Sequence, residues 1–261
     1  MRPLKIAATG MAAQQLRVEV IANNLANMST TAFNARRAEF ADLHYQQMER
    51  PGSINASDGT VLPTGIQLGL GVRPTSVAPM LAQGALKQTG NDLDVAIEGE
   101  GYLEVTLPSG DSGYTRDGGL RRNGEGVVVT SDGFPIEPEI AIPEEAVSLS
   151  INANGEVYAY FNGEAEAELL GRIILATFIN PRGLEATGGN LFAETEASGP
   201  PTVGDPGEDG VGMLRQGYVE ESTVDAVREV TELIEAQRGY ELNAKVITAA
   251  DEMMAVTAQV R

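Results

Sequence analysis

Residues Glu220–Arg261 run for 42 residues without a proline. Ala226, Val230, Leu233, Gln237, Tyr240, Ala244, Ile247, Asp251, Met254 and Ala258 fall there at alternating steps of four and three, and eight of the ten are apolar or aromatic. That spacing predicts one helix with a single narrow apolar stripe, ~60 Å long if helical throughout. Ser222 is the expected N-cap, with Asp225 in the first turn, where a carboxylate favours the helix dipole. Only Gly239 interrupts. A stripe this thin on a helix this long cannot bury itself. It must lie against another helix, from its own chain or from a neighbouring molecule.

The other end of the chain has the same character. Leu4, Met11, Val18 and Leu25 stand at heptad spacing, with Ala8, Gln15 and Ala22 on the adjacent line. Six of these seven are apolar, which predicts an N-terminal helix with a thin stripe, alanine standing where a strong zipper would have leucine. Asn23, Asn24, Asn27, Ser29, Thr30 and Thr31 then end it, because their side chains compete for backbone hydrogen bonds and favour turns.

Between the ends the pattern changes. Short runs rich in β-branched residues (Leu93–Ile97, Tyr102–Leu107, Val127–Thr130, Val147–Ile151, Val157–Phe161, Ile173–Phe178) are separated by turn signals. These are Pro108–Gly110, Asp117–Gly119, Asn123–Gly124, Asp132–Gly133, Asn154–Gly155, Asn162–Gly163 and Arg182–Gly183. They read as an all-β domain of hairpins. Ser198–Gly212 reads as a Gly/Pro loop without burial, and Arg50–Gly71 as an extended connector. The expected class is therefore mixed α and β, with terminal helices forming a coiled-coil-like domain that flanks a central all-β domain. The expected division is 1–45 for the N-terminal helical part, 46–75 for the connector, 76–217 for the β-rich domain and 218–261 for the C-terminal helix.

Composition narrows the function. With 18 basic and 37 acidic residues the net charge is −19, which repels nucleic-acid phosphates and argues against nucleic acid as a partner. Residues 1–50 carry six basic and four acidic side chains, so the acidity sits on the remainder. There is no cysteine, which removes disulfides, thiolate metal sites and cysteine nucleophiles, and the single histidine is His44. No segment reaches the ~20 apolar residues of a membrane span. The N-terminal run, broken by Thr9, Gly10, Gln14, Gln15 and Arg17, does not read as a cleaved secretory signal.

Nothing in the residues supports catalysis or a cofactor, metal or small-molecule substrate. Asp92, Asp94, Glu98, Glu100 and Glu104 cluster in sequence, but a glycosidase needs two carboxylates in opposed environments, and no tryptophan offers a sugar platform. Asp205–Asp209 lacks the spacing of a calcium loop. Leu68–Gly71 is too short to cradle phosphate, and His44 reads as an exposed helix-end residue. Met253 and Met254 suit either core packing or a soft partner surface. The positive signal is architectural, a subunit that polymerises through its ends. Patches of two different kinds joined by rotation and rise give an open helical assembly.

Four stretches, in order along the chain, resemble the rod and hook proteins of the bacterial flagellum, most closely the distal-rod type. They are Ile21–Phe33 (with Asn23, Asn24, Leu25 and Asn27), Gly90–Val105 (with Asp94, Gly99 and Gly101) followed by Tyr114–Gly118 (Tyr114, Thr115, Arg116, Asp117, Gly118), Gly183–Thr195, and Gln216–Met254 (with Gln237, Arg238 and Tyr240). The single β domain and the stretch Pro51–Gly71 carry the distal-rod assignment. Where the family usually has glycine this chain has Ala32, and Asn34 stands where lysine is frequent, so the turn there is expected to differ locally.

The resemblance implies a structural subunit that stacks helically into a rigid hollow drive shaft and is exported by the flagellum's own type III channel without a cleaved signal. It implies a basal-body location across the periplasm, and as partners other copies of itself, proximal rod proteins, hook or hook-junction subunits and the surrounding ring bushing. Leu4, Met11, Val18, Leu25, Leu233, Tyr240, Ile247 and Met254 are the expected subunit-interface residues. Other readings are a proximal rod or hook subunit, a periplasmic carbohydrate hydrolase, or an adhesin with helical anchors.

Overall fold

The computed structural model describes residues 2–49, 64–162, 166–208 and 210–259. Helix, β-rich region and helix follow in the expected order. The chain forms two compact units, one of Met1–Ala26, Arg36–Pro79 and Asp225–Arg261, the other of Asn27–Ala35 and Met80–Val224.

In the first unit, α1 (Arg2–Ala26) and α2 (Ala226–Gln259) pack antiparallel. Gly10 faces Asn243, Arg17 reaches Glu232 and Asn24 reaches Glu229, so rising numbers on α1 meet falling numbers on α2. A Cβ on Gly10 would stand 2.9 Å from the Asn243 side chain, and one on Gly239 3.1 Å from Gln14. The glycine that interrupts the stripe is thus where the two backbones come close. The N-cap of α2 is Asp225, whose Oδ1 accepts from the amides of Val227 at 3.0 Å and Arg228 at 3.3 Å. Ser222, the expected cap, accepts from Val224 one turn earlier.

α1 ends at Ala26, and residues 36–49 are extended, although the sequence expectation carried the helical part to residue 45. β1 (Arg36–Asp42) pairs antiparallel with β4 (Val72–Pro79), and β2 (Tyr45–Glu49) with β3 (Ile66–Gly69). The visible part of the connector is therefore extended by pairing with the strands that precede it. Arg50–Pro63 of that connector, Gly163 of the Asn162–Gly163 turn, Asp209 and Arg261 lie outside the described residues. His44 is exposed between β1 and β2, not at a helix end.

In the second unit a six-stranded antiparallel sheet runs in the order Glu185–Gly188, Leu191–Ala193, Ser112–Thr115, Tyr102–Thr106, Leu175–Thr177 and Thr202–Gly204. A three-stranded sheet of Ala146–Ile151, Glu156–Phe161 and Glu168–Arg172 and several two-stranded pairs complete it. The core is aliphatic, centred on Val95, Ile97, Leu103, Val105, Ile136 and Leu175, each at most 1% exposed. This is how a chain so poor in aromatics fills an interior. Turn chemistry follows the sequence signals. Asn152 Oδ1 accepts from the amides of Asn154 and Glu156, and Gly155 takes φ 84°, which closes the hairpin between 151 and 156. Ser198–Gly212 is not the unburied loop expected of it. Ser198 and Pro206 are buried, and Thr202–Gly204 is an edge strand, where backbone pairing needs no side-chain pattern.

Ala32 has φ 55°, the left-handed conformation for which glycine is the usual residue. Its amide donates to the Glu220 carbonyl at 2.8 Å, which holds it there. Asn34 lies against the 80–82 segment; with its amide turned to match its surroundings, the nitrogen donates to the carbonyls of Met80 and Ala82 at 3.2 Å each.

Candidate assembly surface

The seam that α1 and α2 share is not built from the predicted stripes. α1 buries Ala7, Ala13, Val20, Ile21 and Asn24, and α2 buries Glu229, Ala236 and Ala250. The heptad reading assumes one helical partner. α1 has two, α2 and the β1–β4 ribbon, where Thr9 Oγ1 accepts from the Val72 amide at 3.2 Å. Its covered face is accordingly displaced. Leu4, Met11, Val18 and Leu25 are only half-buried, and Ala8, Gln15 and Ala22 are exposed. On α2, Leu233 and Ile247 are half-buried while Tyr240 and Met254 are exposed. Val18 and Gln15 line one groove with Gln237, Tyr240 and Glu241, so the structure brings the middle of the two predicted stripes to one side of the helix pair. Arg238 is exposed.

Asn24 ties this unit together. Buried to 1% exposure, it accepts from the Arg36 amide and donates to the Arg36 carbonyl, 2.8 Å each, fixing the start of β1. It also donates to Glu229 Oε2 at 3.2 Å. Of its neighbours in the Asn-rich motif, Asn23 is exposed, Leu25 is half-buried, and Asn27 Oδ1 accepts from the Thr30 hydroxyl at 3.1 Å. Burial lifts the Glu229 carboxyl above the ordinary carboxylate value. Glu232 and Asp225 add to the rise, and the Asn24 hydrogen bond and Arg228 oppose it. A raised native value means that the Glu229 contribution is fully present below the unfolded carboxylate pKa and is lost as pH rises through the native one. Glu229→Gln keeps the acceptor for Asn24 and removes the titration. Its thermal midpoint relative to wild type is expected to improve between pH 5 and pH 7, measured by circular dichroism at both. An unchanged difference would show that the carboxyl is fully solvated.

Of the remaining motif residues, which lie in the β unit, Gly99, Gly101 and Arg116 join Glu220 in one brace beside a surface pocket. The Arg116 guanidinium donates to Glu220 Oε2 at 2.9 and 3.0 Å and to the carbonyls of Gly99 and Gly101 at 3.1 Å. The two side chains are 10% and 2% exposed. Glu220 Oε1 accepts from the Gly84 amide at 2.8 Å. Gly99 and Gly101 have φ 114° and 145°, which turns both carbonyls onto the arginine. Thr115 donates to the Asn190 carbonyl at 2.8 Å, and Asp117 accepts from Gly119 and Asn190. Asp94 accepts from Asn91 at 2.8 Å, and the Gly118 carbonyl accepts from Val95. Tyr114 packs edge-on to Phe178 with centroids 4.8 Å apart, and burial pushes its hydroxyl up to about 12. Glu220 is the buried partner in this brace that sequence reading did not single out. It lies 104 positions from Arg116, and no local pattern marks it.

Residues 4–33 match the family described as flagella basal body rod protein, 96–159 the flagellar hook protein FlgE/F/G D1 domain, and 215–260 the flagellar basal body rod FlgEFG protein C-terminal family. Flagellar basal-body rod protein FlgG of Caulobacter vibrioides is 51% identical over 261 residues, covering 100% of both chains. The FlgG proteins of Agrobacterium fabrum and Bacillus subtilis are 46% and 35% identical, with 99% and 97% of each chain covered. The carbohydrate-hydrolase alternative finds no support among these relatives. With the resemblance running through both helices and the β unit at such identity, the chain belongs to the FlgG family of flagellar basal-body rod proteins.

Proposed function

We propose that this rod-family chain is the distal-rod subunit, which stacks helically into a rigid hollow shaft carrying torque from the motor to the hook. The full-length identity to the FlgG relatives carries this reading. The open groove beside the helix pair supports it, because residues at heptad spacing remain only partly covered within one chain. Leu4, Met11, Val18, Leu25, Leu233, Tyr240, Ile247 and Met254 are proposed to meet neighbouring copies in a coiled-coil-like tube wall. The terminal segments (1–45 with 218–261), which carry α1 and α2, would form the tube core, 46–75 the connector and 76–217 the β-rich domain.

The shaft would cross the periplasm after type III export without a cleaved signal. It would join proximal rod proteins below and hook or hook-junction subunits above, inside the ring bushing. Electron micrographs of basal bodies from cells lacking the chain test this reading. The expected structures stop before the distal rod, and complete rods would overturn it.

Val18→Asp and Ile247→Asp place a charge on a half-buried stripe. Each is expected to abolish swimming and rod assembly while the β unit keeps its fold, read by motility, microscopy and amide exchange of residues 95–105. Normal rods from both variants would remove these stripes from the interface.

A further inference from the structure

The chain passes from one compact unit to the other four times, after Ala26, Ala35, Pro79 and Val224. Within the β unit those crossings lead into three segments, which are 27–35, the stretch that starts at Met80 and the stretch that ends at Val224. Each of the three is hydrogen-bonded to both of the others. The Ala32 amide donates to the Glu220 carbonyl at 2.8 Å, the Thr223 amide to the Phe33 carbonyl at 3.0 Å, and the Ala35 amide to Thr223 Oγ1 at 2.8 Å. The Met80 amide donates to the Ala35 carbonyl at 2.8 Å. The Glu221 amide donates to the Ala85 carbonyl, and the Gly84 amide to Glu220 Oε1, again at 2.8 Å. These links close a triangle, so no segment can move alone without breaking its bonds to the other two.

The lacing is tight as well as closed. Ala32, Ala35 and Glu220 are buried, and a Cβ on Gly84 would stand 1.9 Å from the Glu221 carbonyl oxygen. Two ties fasten the triangle to the aliphatic core. One is the Arg116 guanidinium, which grips Glu220 together with the carbonyls of Gly99 and Gly101. The other is Gln83, whose side-chain nitrogen donates to the Ile97 carbonyl at 2.8 Å while its oxygen accepts from the Gly99 amide at 3.2 Å. Ile97 is fully buried in that core.

We infer that the three segments work as a single collar, which gathers the load arriving on any one crossing and passes it to the β core through all of them together. The inference rests on the rod reading and deepens it, because it names the part of the subunit that resists twist. Without the lacing, force on a shaft subunit would fall on one segment at a time. Hydrogen bonds strained one after another give way far more easily than the same bonds strained together. A body held in this way opens as one cooperative unit, and that opening is measurable by amide exchange.

Thr223→Val keeps the side-chain shape and removes the acceptor of the Ala35 amide. In the purified full chain it is expected to speed exchange at Ala32, Ala35, Met80, Gly84 and Glu221 together, by roughly three- to tenfold, with little change at Leu103 and Val105. Gly84→Ala strikes another side of the triangle, where the new methyl group meets Glu221, and the same amides are expected to respond. Faster exchange only beside each substitution would overturn the inference. Load is read in cells that carry Thr223→Val as their one copy. Their rods are expected to reach full length but to bend in electron micrographs, and swimming to fall more steeply than in wild type as viscosity rises. Straight rods with wild-type swimming at every viscosity would overturn the inference and leave the rod reading standing. Complete rods in cells without the chain would instead sink the rod reading, whatever the exchange pattern.

Discussion

Arg116→Ala is expected to lower the stability of the β unit by about 3–5 kcal/mol, the usual consequence of stranding one member of a buried ion pair. Glu220, 2% exposed, would be left with the Gly84 amide as its hydrogen-bond partner. The carbonyls of Gly99 and Gly101 would lose their donor at the same time. Arg116→Lys keeps the charge but not the planar fork, so it is expected to lose roughly 1–3 kcal/mol. The double variant Arg116→Met with Glu220→Gln is expected to recover part of the loss, because no unpaired charge is then buried. Urea denaturation of the full chain, with amide exchange at residues 95–98 to localise the effect, measures all three. A loss below about 1 kcal/mol for Arg116→Ala would mean that water reaches Glu220 and solvates it.

The same pair shows where sequence reading stops. Hairpins are local, and their cues lie within a few residues of one another. Asn152 with Gly155, or Asn123 accepting from the amides of Glu125 and Val127, announces its turn in the sequence. Most of the β runs were legible for that reason, and both helices for their period. A brace between positions 116 and 220 has no period and no local cue. Arg116 is marked in the sequence only through the resemblance, and Glu220 only as one position inside the long Gln216–Met254 stretch.

The helix faces lie between these cases. The period shows that α1 is amphipathic, but which line is covered depends on every neighbour. The β1–β4 ribbon that helps to cover α1 follows a helix-ending turn and is paired across the connector. The α2 cap moved from Ser222 to Asp225 for a related reason. Both residue types cap well, and residues 221–224 are held away from helical geometry by hydrogen bonds such as that from the Thr223 amide to the Phe33 carbonyl.

Gly118→Ala is the second large effect, and it separates steric need from the general flexibility of glycine. A Cβ at Gly118 would stand 1.6 Å from the Val95 carbonyl oxygen and 2.7 Å from its carbon. Backbone cannot swing aside as a long side chain does, so the two segments must part. Parting them removes the 2.9 Å hydrogen bond from the Val95 amide to the Gly118 carbonyl and strains the bridge between Asp94 and Gly119. It also disturbs Val95, which is fully buried in the aliphatic core. Overpacking together with a broken buried hydrogen bond is expected to destabilise by about 3–5 kcal/mol.

Gly124→Ala makes the identical chemical change at a turn with no heavy atom within 4 Å of the new methyl group. There the loss of unfolded-state freedom is the main effect, and stability should hold or rise by about 0.4–1 kcal/mol. Parallel urea titrations of the two variants decide the matter. Equal losses would show that backbone freedom, and not the approach of Val95, is what position 118 requires. A loss confined to Gly118→Ala would place the demand on the packing between that turn and the strand beginning at Val95.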